Sequence, residues 1–434
     1  MTLRTILENP SLRGHFTAQF FGNFNDNFFK QIVMFYAARK LFPGEDRQGV
    51  AMMVFTIPFI LCSGYAGQLS EQRSKQNIVV KMKIAEIFIT ILAAYALYLE
   101  SWVLMLTTLF ILGLQSTINS PPKYAILPEL VPANQLLETN SIIATLSFAA
   151  ILLGQATAGP SFDIWSTKPW MMGIVCFTFA IIGTLGSLQI KKLPPLAPET
   201  TVHLNPFQGL SEAYREMNRD PRILRIVTLY ALGWFNASVM VLAITGMGAP
   251  SYLNIPQGET WRLSLLLIGL TLSIVIGCLL VPGVSKYLRP NIMISVGIGG
   301  AVTIEGIFVL ICTFVPDHSA YWISFSCMLA LGFTGALFFV PFQTFLQHLP
   351  AAGSRGKVLA FNNVLSFVAM FLSGLIYEIG NRLELNPGVT LLFSGFIFVL
   401  GVYLYRSSLS TITLPQQTNS DSSHKGDNNS PKLS

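Results

Sequence analysis

The stretch LSFAA at residues 146–150 returns as LSFVA at residues 365–369, 219 positions later. Other matches share this offset or a similar one: Glu86 with Glu305, Leu112-Gly113 with Leu331-Gly332, Pro122 with Pro341, and GNFN at 22–25 with GWFN at 233–236. Chance matches between apolar words are common, but a shared offset across several segments is not. The second half of the chain is therefore interpreted as a repeat of the first.

The composition is that of a membrane protein. The chain has 434 residues, of which 52% are apolar and 11% are charged, whereas soluble domains carry about 25% charged residues. This shortfall excludes an ordinary soluble enzyme, a disordered chain and a nucleic-acid-binding protein. With a mean hydropathy of +0.56, we expect a polytopic membrane protein.

Twelve apolar runs are long enough to cross a bilayer as helices. They lie near residues 14–40, 49–70, 77–99, 102–121, 136–159, 169–190, 223–250, 261–283, 290–315, 318–341, 356–380 and 388–408. Two parallel six-helix halves are the architecture of major facilitator transporters. The predicted fold is therefore all-α, with one half at 1–190 and the other at 223–408. Residues 191–222 predict a cytoplasmic linker with an amphipathic helix, and 409–434 a disordered cytoplasmic tail.

The basic residues predict the orientation of the chain in the membrane. With the N-terminus inside, 20 Lys and Arg residues fall on inner segments and 6 on outer segments. The positive-inside rule then places both termini in the cytoplasm. The five cysteines lie inside apolar runs, without a C-x-x-C pair or a neighbouring His, so neither a metal nor a cofactor is predicted.

The first span carries a stripe of polar residues. Five of them follow at steps of four, four, three and four: His15, Gln19, Asn23, Asp26 and Lys30. They share one helical face, and an ionised side chain at the bilayer centre costs about 3 kcal/mol or more. This face, with Asn27 beside it, is expected to line a polar passage. Asp26 is a candidate acceptor for a substrate ammonium. Lys30 is a candidate for contacting a substrate phosphate or for pairing with Asp26 until substrate arrives. The alternative to a binding role is a closed ion pair that only holds the first span against its neighbours.

Two carboxylates inside later spans are candidates for gating or coupling. Glu86 lies in the third span and Glu305 in the ninth, at matching positions of the repeat. The alternative is a carboxyl group that is simply hydrogen-bonded between helices. The substrate-facing residues of the first span have no such match, because Asp26 corresponds to Ala237. The two halves therefore differ in chemistry at the same depth.

Two segments at the predicted inner surface supply the remaining candidates. Residues 67–75 (GQLSEQRSK) resemble the major facilitator loop motif between spans two and three, which implies that Glu71 and Lys75 latch the cytoplasmic ends together. After span four, two prolines are expected to end the helix. Lys123 and Glu129 follow, and Lys123 is expected to bind a lipid phosphate or to pair with Glu129. A rigid turn without a binding role is the alternative.

Three motifs resemble the bacterial lysophospholipid transporter (LplT) family: FNDNFFKQ at 24–31, SPPKYAILPELVP at 120–132 and NSIIATLSFAAILLG at 140–154. The resemblance implies a major facilitator fold in the bacterial inner membrane. It also implies a flippase that moves lysophospholipid, chiefly the ethanolamine form, from the outer to the inner leaflet for reacylation. Asp26, Asn27 and Lys123 match the family's charged motifs, and Asn23 and Asn140 join Lys30 as further candidate substrate contacts. The implied partner is a cytoplasmic acyltransferase/acyl-carrier-protein synthetase.

The sequence predicts a transporter and no enzyme, because no His begins the acyltransferase motif H-x-x-x-x-D and there is no Walker loop. A secondary transporter that moves lysophosphatidylethanolamine by alternating access is the main hypothesis. One alternative is a proton-coupled transporter for a small soluble solute or drug. Another is a membrane protein that docks a reacylating enzyme through 191–222 and transports little.

Overall fold

The computed structural model describes residues 9–42, 44–132, 135–195, 214–215, 217–218, 220–285, 287–315, 318–349 and 355–409. Thirteen helices are assigned in these residues: α1 (Pro10–Arg39), α2 (Gln48–Gln72), α3 (Lys75–Tyr98), α4 (Trp102–Ala125), α5 (Leu127–Leu130), α6 (Leu136–Ile164), α7 (Trp170–Ser187), α8 (Pro221–Gly246), α9 (Trp261–Val284), α10 (Pro290–Phe314), α11 (His318–His348), α12 (Arg355–Arg382) and α13 (Pro387–Leu409). The all-helical prediction is confirmed.

Local sequence signals explain where the first helix of each half begins. The Asn9 side chain caps α1 by accepting hydrogen bonds from the Ser11 and Leu12 amides. Asp220 caps α8 in the same way by accepting from the Arg222 amide. Each cap is followed by a proline, whose missing N–H is not needed in the first turn of a helix.

Ten of these helices are long and apolar enough to cross a membrane. Of the twelve predicted spans, α1 and α3 fall outside this group because of their polar residues, although they run to 30 and 24 residues. Large apolar side chains cover the outside of the bundle: Leu279 is 76% exposed, Phe314 74% and Val103 70%. Such a surface suits lipid rather than water. The chain is a multi-pass membrane protein.

The same helix pairings recur in both halves. In the first half α1 packs against α6 and α7, α2 against α4, and α3 against α4 and α7. In the second half α8 packs against α12 and α13, α9 against α11, and α10 against α11 and α13. These are the pairings that a parallel six-helix repeat produces. The boundaries at 190 and 222 stay a prediction, because residues 196–213, with most of the predicted linker helix, lie outside the described residues, as do 410–434 of the predicted tail.

The halves meet along two pairs of helices, α2 with α12 and α6 with α9. At the end of the bundle where α1 and α12 finish, hydrogen bonds join the two halves. Tyr377 on α12 donates to the Asp46 carboxylate at 2.9 Å, and Asn381 donates to the Asp46 carbonyl oxygen at 2.6 Å. Arg39 donates to the carbonyl oxygen of Ile255 at 2.8 Å. We call the Asp46, Tyr377 and Asn381 contacts the end latch.

The α2–α12 contact depends on two glycines that face each other. A Cβ atom on Gly49 would lie 2.5 Å from the Gly374 carbonyl oxygen, and a Cβ atom on Gly374 would lie 2.6 Å from the Gly49 carbonyl oxygen. No side chain fits at that distance, so only glycine permits this approach of the two backbones. Further along the same pair of helices the Phe59 and Phe367 rings stack with centroids 4.1 Å apart. The structure is therefore closed at the latch end.

Candidate functional site

A polar cavity of about 130 Å³ lies within the first half. It is bordered by α1, α2, α3 and α4, and its lining residues are Gln19, Gly22, Asn23, Asp26, Phe59, Lys83, Gln115, Ser116, Asn119, Ser120 and Lys123. Three members of the predicted α1 stripe are among them. A polar cavity thus lies beside this helix, and we call it the first-half cavity; its use as a passage stays a prediction.

Asp26 and Lys30 have different partners from those expected. The Asp26 carboxylate accepts a hydrogen bond from the Ser116 hydroxyl on α4 at 2.5 Å. Lys30 donates to the Asn27 side-chain oxygen at 3.3 Å, and its ammonium lies 5.1 Å from the centre of the Phe55 ring. The pairing of Asp26 with Lys30 is therefore wrong, because α4 supplies a closer polar partner. Asp26 borders the cavity, whereas Lys30 and Asn27 are not among the lining residues.

Lys123 faces the cavity rather than the surface loop. Its ammonium donates to the Asn23 side-chain oxygen at 3.2 Å, and Asn23 donates in turn to the Ser147 hydroxyl at 3.0 Å. The ring of His15 bonds to the Lys123 carbonyl oxygen at 2.9 Å and ties the end of α4 to α1. The predicted pairing with Glu129 is wrong, since α4 continues through both prolines to Ala125 and carries Lys123 on its inner face.

A buried ion pair forms the floor of the cavity. Lys83 donates to Glu86 Oε2 at 2.6 Å, and both side chains are 1% exposed. The amide of Asn25 donates to Glu86 Oε1 at 2.8 Å. Gly22 leaves the space for this pair, because a Cβ atom there would lie within 2.1 Å of the Lys83 ammonium nitrogen. Glu86, predicted to gate or couple, is neutralised inside its own half.

One of the two predicted cytoplasmic latch residues, Lys75, pairs with Glu129, which belongs to the segment after span four. Lys75 at the start of α3 donates to the Glu129 carboxylate in α5 at 2.6 Å, and the Lys75 side chain is 3% exposed. Glu71 is exposed at the end of α2. The Lys75–Glu129 pair joins two elements of the first half, so any latching between the halves by Glu71 or Lys75 remains a prediction.

The second half holds a cavity of the opposite character. About 70 Å³ in volume, it is lined mostly by aromatic, aliphatic and glycine residues: Gly233, Asn236, Ala237, Met240, Leu270, Ile274, Gly297, Ala301, Glu305, Leu331, Gly335, Phe338, Phe339 and Phe398. Its one acidic lining residue is Glu305, which accepts a hydrogen bond from Asn236 at 2.7 Å. We call it the second-half cavity.

Several cavity residues were not predicted from the sequence. Ser116 and Gln115 belong to the polar run QSTINS at 115–120, but the sequence does not show which of these residues face α1 until α1 is placed beside α4. Lys83 was not singled out either, although its spacing of three residues from Glu86 is a signal for a pair on one helical face. Asn140 lies in α6, and its side chain is outside the described residues. No group of three or more His, Cys, Asp or Glu that would hold a metal ion occurs in the described part of the chain.

Comparisons with known proteins agree with this architecture. The lysophospholipid transporter LplT of Cronobacter sakazakii is 26% identical over 410 residues, covering 90% of this chain and 94% of the relative. The LplT of Klebsiella pneumoniae is 25% identical over 416 residues, covering 91% and 96%. These relatives are named as transporters.

Solved structures share the fold at low identity. A POT family transporter in complex with 5-aminolevulinic acid superposes with a TM-score of 0.69 at 12% identity, covering 92% of this chain and 96% of that one. A bacterial homologue of the human lysosomal transporter Spinster, inward-facing and unoccupied, has a TM-score of 0.67 at 12% identity, covering 91% and 96%. The family profile of the Major Facilitator Superfamily matches residues 16–374. By this match, which spans most of the helical bundle, the chain belongs to the Major Facilitator Superfamily.

Proposed function

We propose that this protein is a secondary transporter that moves lysophospholipid, with lysophosphatidylethanolamine as the preferred substrate. The observation that carries the proposal is the contrast between its two cavities, which are polar and charged in the first half and largely apolar in the second. A molecule with a charged headgroup and a single acyl chain has the same contrast. The names of the LplT relatives support the same substrate class.

The first-half cavity is suited to a zwitterionic headgroup. The Asp26 carboxylate is an acceptor for the ethanolamine ammonium, and the Lys123 ammonium is a donor for the phosphate. Both side chains border one cavity, so a single headgroup can contact both. Charge-assisted hydrogen bonds of this kind are stronger than neutral ones, and the low dielectric constant of the protein interior strengthens them further.

The second-half cavity is suited to the acyl chain. Phe338, Phe339 and Phe398 supply aromatic walls, and small residues such as Gly335 leave room between them. Removing apolar surface from water is favourable by about 25 cal/mol per Å². The free energy of an acyl chain therefore changes little when the chain moves from lipid to an apolar cavity, but it rises steeply when the chain enters water. A protein that keeps the chain against apolar side chains avoids that loss while the headgroup crosses.

The direction that we propose is from the outer to the inner leaflet of the bacterial inner membrane, with both termini in the cytoplasm. The distribution of Lys and Arg supports this orientation. The closed latch end then faces the periplasm, and alternating access opens it as the halves rock about the α2–α12 and α6–α9 contacts. A cytoplasmic acyltransferase would consume the delivered lysolipid.

Uptake of labelled lysophosphatidylethanolamine into vesicles containing the purified protein tests the proposal. Asp26→Asn and Lys123→Gln each remove one charge-assisted contact of about 1.5–3 kcal/mol, so uptake at low substrate concentration should fall roughly tenfold to a hundredfold. Lys81→Gln is the matched control, because Lys81 is exposed on α3 and does not line the cavity.

Unchanged uptake in both cavity variants would remove them from the binding site. Glycerophosphoethanolamine, which has the headgroup without the chain, is the second substrate. If the protein transports this soluble compound and does not transport lysolipid, the protein is instead a transporter of soluble solutes.

A further inference from the structure

The two halves contain the same buried pair of residues. In the first half the Asn25 amide donates to Glu86 Oε1 at 2.8 Å, and in the second half the Asn236 amide donates to Glu305 Oε1 at 2.7 Å. Both glutamates are 1% exposed. Since these residues correspond through the internal repeat, the pair is one structural unit that occurs twice.

The two copies differ in what neutralises the second carboxylate oxygen. Glu86 Oε2 accepts from Lys83, three residues before it, at 2.6 Å. The residue three positions before Glu305 is Val302. Glu305 Oε2 is buried, and no hydrogen-bond partner for it is found among the described residues. A Cβ atom built on Gly395 would lie 3.1 Å from Glu305 Oε2 and 3.5 Å from the Val302 methyl groups, so valine carbons occupy the neighbourhood of this oxygen.

Among the described side chains, none that is basic pairs with Glu305. It lies near the middle of α10 and borders the second-half cavity. On α8 the basic residues are Arg222 and Arg225 near its start, and on α13 the basic residue is Arg406 near its end. On α9 the basic residue is Arg262 near its start, and it pairs with Glu259. The titratable residues on the described part of α11 that packs against α10 are Tyr321 and Cys327, and these types are neutral near pH 7. An ionised carboxylate with a free oxygen is therefore strongly disfavoured here.

A proton satisfies this site better than a metal ion does. The Asn236 side-chain oxygen is already used, because it accepts from the Ser394 hydroxyl at 2.8 Å. One carboxylate oxygen is then left, whereas hard cations such as Ca²⁺ and Mg²⁺ take about six or more oxygen ligands. A proton needs only one oxygen and removes the whole charge.

We infer that Glu305 is a proton-binding site of the second half, where the proton takes the place that the Lys83 ammonium holds in the first half. The proton is taken from water when the cavity is open and is carried as the neutral acid when the cavity is closed. Coupling of this proton to lysolipid movement rests on the proposed function, whereas the protonated state of Glu305 does not.

Infrared difference spectroscopy of the purified full-length protein tests the protonated state. The wild type at pH 7 should show the carbonyl stretch of a protonated carboxyl group, and Glu305→Gln should remove one such band. The repeat mate is the control: Glu86→Gln should leave the band in place, because Glu86 Oε2 is paired with the Lys83 ammonium. An unchanged spectrum in Glu305→Gln would overturn the inference.

A second variant tests the same idea by restoring the missing cation. Val302→Lys places a lysine three residues before Glu305, as Lys83 stands before Glu86, and should abolish the Glu305 band. A Val302→Met variant of similar length without charge should keep it. Circular dichroism and monodisperse elution establish that each variant is folded, and persistence of the band in folded Val302→Lys would count against the site.

Transport into vesicles with an imposed pH gradient tests the coupling. The rate of lysolipid uptake by the wild type should change with the pH gradient and not with an equal sodium gradient. In Glu305→Gln this effect of the pH gradient on the rate should be at least about fivefold smaller, whereas exchange without a gradient should continue. If the wild type ignores the pH gradient but transports lysolipid, coupling is refuted and the proposed function stands. If no lysolipid moves at all, the proposed function fails while the infrared result still decides whether Glu305 holds a proton.

Discussion

At the scale of single residues, the site depends on polar side chains whose partners come from other helices. Asp26 bonds to Ser116 on α4, and Asn23 bridges Lys123 and Ser147. Each contact is satisfied without an ion pair across the cavity. Asp26 and Lys123 can therefore exchange a protein partner for a substrate group at small cost, because one hydrogen bond replaces another.

Gly335 provides a test of where the acyl chain lies. Beyond its own helix, no described heavy atom lies within 4 Å of the position of its Cβ atom, so Gly335→Leu should fill the second-half cavity without displacing the backbone. Overpacking costs about 1–3 kcal/mol, so uptake of a long-chain lysolipid should fall by about tenfold while that of a short-chain analogue changes little. Vesicle uptake across a series of chain lengths measures this.

Gly299→Leu is the matched control for the chain-length experiment. Gly299 is exposed on α10 and also has open space around its Cβ position, but it does not line the cavity. An equal loss for short and long chains in Gly335→Leu would place the acyl chain elsewhere.

Residue types at the site were predictable, and their partners were not. The α1 stripe identified Asp26 and Asn23 because helical periodicity depends only on neighbours along the chain. Ser116 and Ser147 were not identified, since a serine in a membrane helix gives no sign of its partner until the helices are packed. Lys83 was not identified because lysine usually extends toward water, whereas here Glu86 offers a buried counter-charge one turn away. The roles of Glu71, Lys75 and Asn140 stay predictions.

At the scale of helices, close contact between α2 and α12 controls the latch end. Gly49 and Gly374 bring the two backbones together across the interface between the halves. Below them Phe59 and Phe367 stack. Because both features pair one helix of each half, separating these helices opens the bundle at this end. Gly49 and Gly374 are therefore needed for α2 and α12 to come together, and not for either helix to form.

Gly49→Ala should hold the latch end partly open. The added methyl group would lie 2.5 Å from the Gly374 carbonyl oxygen, which is backbone and cannot move aside. Spin labels at Glu45→Cys and Leu383→Cys, in a background without the native cysteines, should show a longer distance between the halves than in the parent. Gly67→Ala on the same helix is the control, because no described atom lies within 4 Å of its Cβ position. A distance distribution identical to the parent's would contradict this account.

The helix boundaries could be predicted where the sequence changes from apolar to polar, but not at the prolines of span four. Span four was expected to end at Pro121, but α4 continues to Ala125. A proline removes the donor for the carbonyl four residues earlier and favours a bend, yet the contact of Lys123 with Asn23 and of its carbonyl with His15 holds the last turn. Tertiary contacts therefore extended a helix that the local sequence would have ended.

At the scale of the whole molecule, the end latch makes closure depend on pH. The Asp46 carboxylate accepts from Gln48 and Tyr377, and burial raises its pKa to about 6 from an ordinary value of 3.8. The closed form therefore binds this proton more tightly than an open form in which Asp46 is hydrated. Glu378 is the neighbouring carboxylate and adds to the same effect.

Acidification should favour the closed latch end. The contribution of Asp46 to closure is fully present below its ordinary pKa near 3.8 and is lost as the pH rises through about 6, so the ratio of closed to open forms should rise roughly tenfold between pH 7 and pH 5. The same spin-label pair measures this ratio. Asp46→Asn keeps the size and shape of the side chain and removes the group that titrates, so its ratio should be independent of pH over this interval. A wild-type ratio that falls on acidification would refute the account.

The buried Lys83–Glu86 pair also has a consequence for the electrical work of transport. Together with Asp26 and Lys123, it gives the first-half cavity and its floor two positive and two negative side chains, so the empty site is electroneutral. A zwitterionic lysolipid adds no net charge, so it does no work of its own against the membrane potential, and a proton that travels on Glu305 would be the charge that is moved with it. An anionic headgroup would carry one charge across the voltage, and a proton on Glu305 would offset it.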